Sequence, residues 1–253
     1  FCYISSGKKF LEDNMQLDFY SVLFTVLSLV LLMIPGYIIS KTKMVGESAQ
    51  ATLSTIVLYV SQPMLMIMSF QKANFTNELV INLLIVAGLT LVVHLIMIGF
   101  ALSVIKGKEK VHNVMRFASI FSNCAYMGLP FLQLLFKNNS TEILMYGGII
   151  SSVFNLLNWS IGAYIMSGDK AEMSFKKAFL NPTVLAVFLG ILLFVVFQKP
   201  IVNLTPEDST ADMILTKLMN SIDCIGNTVT PLSMMVIGMK LTSVNLKTLF
   251  LNK

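Results

Sequence analysis

Seven apolar stretches, each long enough to cross a bilayer, take up most of the 253 residues. They run at about 19–40, 51–70, 79–105, 111–136, 143–166, 178–197 and 213–241. A bilayer core roughly 30 Å thick needs about 20 mostly apolar residues in a helix. Inside lipid every backbone N–H and C=O must be paired within the protein, so only helices or a closed barrel can span. Barrel strands are alternating segments of about ten residues. The runs here are longer and unbroken, so helices are predicted. Charged residues are 12% of the chain and hydrophobic ones 55%, where a soluble domain carries about 25% charged residues. The fold class is therefore an all-α polytopic membrane protein with seven transmembrane helices, whose solvent is lipid.

The basic residues set an orientation. Lys41 and Lys43 mark the first connection, and Lys72 stands alone in the second. Lys106, Lys108, Lys110 and Arg116 follow, then Lys137 alone, then Lys170, Lys176 and Lys177. The sixth connection is acidic, with Glu207, Asp208 and Asp212 against Lys199, and Lys240, Lys247 and Lys253 close the chain. With Lys8, Lys9 and Lys217 counted on the poor side, the 18 basic residues divide as 12 and 6. The positive-inside rule places the rich side in the cytoplasm, so the N-terminus is predicted outside and the C-terminus inside. The net charge of +5 is thus accounted for by loop anchors, and no basic–aromatic patch points to nucleic acid. Residues 1–14 (FCYISSGKKFLEDN) are a polar extension without signal-peptide features.

Few residues suggest chemistry. Cys2, Cys124 and Cys224 are an odd set, two of them within spans, and offer no disulfide framework or metal spacing. His94 falls in mid-span and is expected to be packed and hydrogen-bonded rather than to carry protons. The 17 methionines are flexible apolar filling; Met64, Met66 and Met68 alternate and cannot share one helix face. No Ser/His/Asp, paired-carboxylate, HExxH or GxSxG arrangement appears, so an enzyme is not expected, nor a cofactor or metal. Asp223 and Lys217 are expected to pair near the outer end of the seventh span.

Breaks in membrane helices gather where transporters bind solutes. Pro63 follows Ser61 and Gln62, Pro182 follows Asn181 at the start of the sixth span, and Pro231 follows Asn227, Thr228 and Thr230. These three are expected as structural kinks. The fourth span differs, because Ser122, Asn123, Cys124, Gly128 and Pro130 lie within nine residues. Uncharged polar groups at membrane depth are costly unless they face protein or a cavity. Ser122, Asn123, Tyr126, Gly128 and Pro130 are therefore the candidate substrate-binding residues, with a half-helix N-terminus after Pro130 as the source of positive potential for an anion. Asn155, Asn158 and Ser160 on the fifth span are second candidates, with interhelical hydrogen bonding slightly preferred for them. A weak internal repeat relates Val60-Ser61-Gln62-Pro63-Met64 to Val229-Thr230-Pro231-Leu232-Ser233-Met234. By the loop charges the two segments run in opposite directions, as an inverted repeat requires. Seven spans with an outside N-terminus also fit a seven-helix receptor or sensor, but the outer loops are too short to offer a ligand-facing surface.

The segment Phe121-Ser122-Asn123-Cys124-Ala125-Tyr126-Met127-Gly128-Leu129-Pro130 resembles the fourth-helix motif of the auxin efflux carrier family, bacterial type. Val153-Phe154-Asn155-Leu156-Leu157-Asn158-Trp159-Ser160, Leu180-Asn181-Pro182-Thr183 and Gly226-Asn227-Thr228-Val229-Thr230-Pro231 fit the same family, as does the segment ending in Pro63. The resemblance runs from about Met15 to the C-terminus. It implies a ten-helix fold of two inverted five-helix repeats. Residues 15–166 would be the first repeat, and 167–253 a partial second repeat holding helices six and seven only. It implies a scaffold of the first, second, sixth and seventh helices, usually dimeric, with the other helices moving as an elevator. It further implies a small organic anion, such as a carboxylate or auxin-like solute, bound where the fourth and ninth helices cross. Asn123 and Pro130 match the family's crossover Asn and Pro. Helices eight to ten have no counterpart, so the chain is expected to be a fragment or truncated reading frame that does not transport as it stands.

Overall fold

A computed structural model describes residues 19–46, 48–107, 109–136, 140–206 and 209–243. Residues 1–14, Lys108, Lys137, Glu207, Asp208, Lys247 and Lys253, which entered the sequence argument, lie outside the described residues. All regular structure among the described residues is helical. Six helical stretches are long and apolar enough to cross a membrane: Phe19–Lys41, Ala49–Gln71, Asn77–Val104, Thr141–Ser167, Lys170–Leu204 and Thr210–Leu241.

The first span is one helix, α1 (Phe19–Lys41), which carries Pro35 in its interior. The second is α2 (Ala49–Ile56), a π-turn at Val57–Ser61, and α3 (Gln62–Gln71). The π-turn ends two residues before Pro63. A proline ring collides with the carbonyl four residues back and has no N–H to give; one extra residue in the preceding turn relieves both. The third span is α4 (Asn77–Val104), which starts where the Thr76 hydroxyl accepts the Leu79 N–H at 3.1 Å. At 28 residues it is the longest uninterrupted helix described. Only 11% of its most apolar stretch is buried in the protein. Such a helix is apolar all round and faces lipid on most sides.

The fourth span departs from the expected continuous run at 111–136. It is two half-helices. α5 (Lys110–Ile120) ends at Phe121, residues 121–123 are non-helical, and a π-turn at Cys124–Gly128 leads into α6 (Leu129–Leu135). The break therefore precedes Pro130 by several residues. Pro130 sits two residues beyond its π-turn, just as Pro63 does.

The fifth span is α7 (Ser140–Leu157), a π-turn at Asn158–Gly162 and α8 (Ala163–Ser167). A short α9 (Phe175–Phe179) then leads to α10 (Pro182–Phe197). Pro182 opens α10 at its first position, where a missing N–H costs nothing. The Asn181 side chain caps the same helix, accepting from Thr183 N at 3.0 Å and Val184 N at 3.4 Å. Pro182 thus starts a helix, as expected of a proline that follows Asn181 at the start of the sixth span. The seventh span is α11 (Thr210–Gly226) and α12 (Val229–Leu241), with Asn227 and Thr228 between them. Pro231 lies in the first turn of α12, again where its missing N–H is harmless.

The most extensive packing joins α12 to α1 and α10 to α3, with α11 also against α3. α1 and α12 meet backbone to backbone. A Cβ on Gly36 would overlap the Met235 carbonyl, and one on Gly238 would overlap the Met33 carbonyl. Ser40 and Thr242 hydroxyls close the end of this pair at 2.8 Å. Gln62, 2% exposed, accepts from the Thr183 hydroxyl at 3.3 Å and ties α3 to α10. Gln71 accepts the Ile201 N–H at 2.9 Å. The Ser61 and Thr228 hydroxyls, 2.8 Å apart, join the second span to the bend in the seventh. Around them Leu65, Met66, Phe70, Leu129, Met145, Val187 and Val229 form the main core. Met66 and Met68 are buried here as packing residues.

Asp223 does not pair with Lys217. Its carboxylate accepts from Lys72 Nζ at 2.6 Å, joining the seventh span to the end of α3. Residues six apart on a helix do not share a face, whereas three or four apart do. With Lys72 46% and Asp223 24% exposed, such a pair is worth about 1 kcal/mol or less.

Candidate functional site

Ser122 and Asn123, at the non-helical break of the fourth span, open onto a cavity of about 270 Å³. Ser122, Asn123, Cys124 and Tyr126 form one wall. Phe154, Asn155, Asn158 and Trp159 of the fifth span form another, and Leu58, Tyr59, Asn181 and Pro182 complete it. The lining holds three side-chain amides besides Asn123 and no Asp, Glu, Lys or Arg. It is a neutral, amide-rich site.

Asn123 is the pivot. Its Oδ1 accepts the Tyr126 N–H at 3.3 Å, and its carbonyl accepts the Met127 and Gly128 N–H groups, each at 3.2 Å. It therefore caps the second half-helix, which begins at Cys124 and not after Pro130. Capping by Asn satisfies one of the first N–H groups of a helix and leaves others unpaired at its end. The Asn123 side chain is exposed to the cavity, and its amide N–H₂ retains two donors for a guest. Ser122 is also exposed, with its hydroxyl 3.2 Å from Cys124 Sγ. The Tyr126 hydroxyl donates to the Ser54 carbonyl at 3.3 Å, so this residue ties the half-helix to the second span as well as lining the cavity.

Gly128 and Pro130 do not line the cavity. Pro130 is fully buried behind it, and Gly128 has only Asn123 and Cys124 atoms near its missing Cβ, at 4.0 Å. The structure brings Ser122, Asn123 and Tyr126 together and sets these two apart.

On the fifth span, Asn155 and Asn158 face the cavity instead of making interhelical hydrogen bonds. Asn155 donates to its own helix, at the Ser151 carbonyl, 2.8 Å away. Ser160 is buried and likewise donates back to the Leu156 carbonyl at 2.6 Å. Phe154, Asn155, Asn158 and Trp159 recur one helical turn apart and so share the face of the fifth span that lines the cavity. His94 is packed as expected, with Nδ1 2.8 Å from the Thr90 carbonyl and its ring near Phe121 and Phe154.

Two polar features escape a reading of the sequence. Gln133 in α6 accepts from the Thr230 hydroxyl at 2.6 Å and lies 3.5 Å from Asn227 Oδ1, linking the second half-helix to the bend of the seventh span. A lone Gln in an otherwise apolar LPFLQLL half-helix is the signal that marks it. The second feature is a larger cavity of about 470 Å³ that adjoins the first. It shares Tyr59, Trp159, Asn181 and Pro182 with it and adds Lys176, Lys177 and Leu180. Among the described residues no group of three or more His, Cys, Asp or Glu could hold a metal ion.

A family model described as "Membrane transport protein" matches residues 21–175, more than half of the chain, and spans the broken helix and most of the cavity lining. The chain belongs to the membrane transport protein family. This bears out the resemblance to the auxin efflux carriers over that stretch. The family consists of transporters and not enzymes. Family membership and six apolar helices together make this an integral membrane transporter. No curated protein and no solved structure was found to match it.

Proposed function

We propose that this transporter is a secondary carrier of a small organic anion, bound in the amide-lined cavity at the break of the fourth span. The observation that carries the reading is the composition of that cavity. Asn123, Asn155 and Asn158 are neutral, the half-helix from Cys124 presents its N-terminal end, and no carboxylate lines the wall. A half-helix N-terminus carries about +0.5 charge and free N–H groups. An anion can therefore be held without the desolvation cost of a buried counter-charge.

The packing agrees with an inverted repeat. The pairs α1–α12 and α3–α10 exchange into one another if the first span is matched with the sixth and the second with the seventh. An inverted repeat split near residue 166 accounts for that pattern. These four spans form the scaffold in our reading, and a homodimer forms through them. The broken fourth span and the fifth move as an elevator, with the Tyr126–Ser54 and Gln133–Thr230 hydrogen bonds crossing the boundary. The basic connections face the cytoplasm, the N-terminus lies outside and transport is outward.

Uptake into proteoliposomes by the whole protein to which these residues belong tests the charge preference. Benzoate and benzamide have nearly the same shape and differ in charge. The proposal expects saturable uptake of benzoate and only leak of benzamide. Equal protein-dependent uptake of the two would remove the case for an anion.

A further inference from the structure

The larger cavity beside the amide-lined one has no assigned role. We propose that Lys176 and Lys177 make it an entrance anion-binding station on the side of the basic connections, where the solute is received before it reaches Asn123. The inference rests on the anion reading of the inner cavity. The two cavities share four residues, and Trp159 is common to both. The inner one has no charged residue; the larger one has two lysines and no acidic residue. An anion moving between them passes from ammonium groups to amides.

Lys177 is positioned by its neighbours. The Ser174 N–H donates to the Trp159 carbonyl at 3.0 Å, fixing the turn before α9 to the π-turn of the fifth span. The Ser174 hydroxyl accepts the Lys177 N–H at 3.2 Å and caps α9. Lys177 Nζ then lies 5.9 Å from the centroid of the Trp159 ring, within range of a cation–π contact. The only ion pair among the described residues is Lys72–Asp223, so neither lysine is engaged in one there. Both are exposed. Exposed charges attract weakly and are screened beyond about 8 Å at physiological salt. Such a station concentrates an anion at the entrance without trapping it. The ligand it fits is a small organic anion whose charged group meets the lysines while its apolar body lies on Trp159 and Tyr59.

Trp159 is the single tryptophan in the sequence, so its emission reports from the junction. The full chain is placed in nanodiscs of neutral phosphatidylcholine and titrated with benzoate and with benzamide. Benzoate is expected to change the emission saturably, and more tightly at low salt than at high salt. K176Q/K177Q should weaken the apparent affinity by about tenfold and flatten the salt dependence. Asn123→Ala removes the inner-cavity amide and should leave a Trp159 response that still depends on salt and on Lys176 and Lys177. Unchanged titration of K176Q/K177Q overturns the station, while continued benzoate uptake by proteoliposomes would leave the carrier reading standing. Loss of the response in Asn123→Ala overturns the station too, because Trp159 would then be sensing the inner site. A lysine effect seen only when phosphatidylglycerol is added assigns the pair to lipid headgroups and ends the proposal. An identical response to benzamide overturns the station and the anion reading together.

Discussion

Gly238→Leu is expected to leave almost no folded transporter, while Gly99→Leu leaves the amount unchanged. The difference lies in what each new side chain meets. At Gly238 even a Cβ would overlap the Met33 carbonyl and approach Tyr37 N to 3.0 Å; at Gly99 nothing lies within 4 Å. Overpacking a core costs typically 1–3 kcal/mol, and about 3 or more when no flexible side chain can give way. Here the obstacle is the backbone of α1, so the two helices must separate. Their interface is the most extensive among the described residues, and typical stabilities are only about 5–15 kcal/mol. Gly36→Leu, which meets the Met235 backbone, should fail in the same way. Monodisperse yield after detergent extraction and the thermal midpoint measure the effect. Wild-type values for both Gly36→Leu and Gly238→Leu would show that α1 and α12 are not packed at this distance.

Asn123→Asp is expected to fold normally and to lose between about tenfold and a hundredfold in carboxylate transport. Asp is as good an N-cap as Asn, so the bond to the Tyr126 N–H at 3.3 Å survives and the half-helix still begins at Cys124. What changes is the charge facing the solute. Two like charges about 5 Å apart at an effective dielectric near 20 repel by roughly 3 kcal/mol, less where water enters. The loss should appear in kcat/KM for benzoate under counterflow, with the thermal midpoint of the protein unchanged. Asn123→Ser keeps a cap without the charge and should lose less. Full activity in Asn123→Asp would mean that no anion approaches this residue.

Much of this arrangement is legible in the residues. The spans follow from apolar length, because lipid leaves a chain few choices. The polar cluster Ser122–Asn123 marks the fourth span as different, and it is the one span without a full-length helix. The position of the break is not legible from Pro130. A π-turn absorbs the proline, as another does at Pro63, and the chain opens at Phe121 to Asn123 instead. Pro231 shows the converse, since a proline at a helix start looks the same in sequence as one at a kink. The Lys72–Asp223 pair and the Gln133–Thr230 bond join residues 151 and 97 positions apart. No local pattern carries such pairings; they depend on how α3, α6 and the seventh span pack. Gly36 and Gly238 likewise become meaningful only when their helices are laid side by side.

Solute binding at Asn123 requires the fourth-span break to be open to water. Cys124 borders that break and lines the cavity, and it can be made the only thiol by replacing Cys2 and Cys224 with Ser. A small water-soluble maleimide added to the folded protein should then label Cys124 without denaturation, and benzoate should slow the labelling. A thiol that reacts only after unfolding, or at a rate untouched by any organic anion, would contradict the placement of the solute at Asn123.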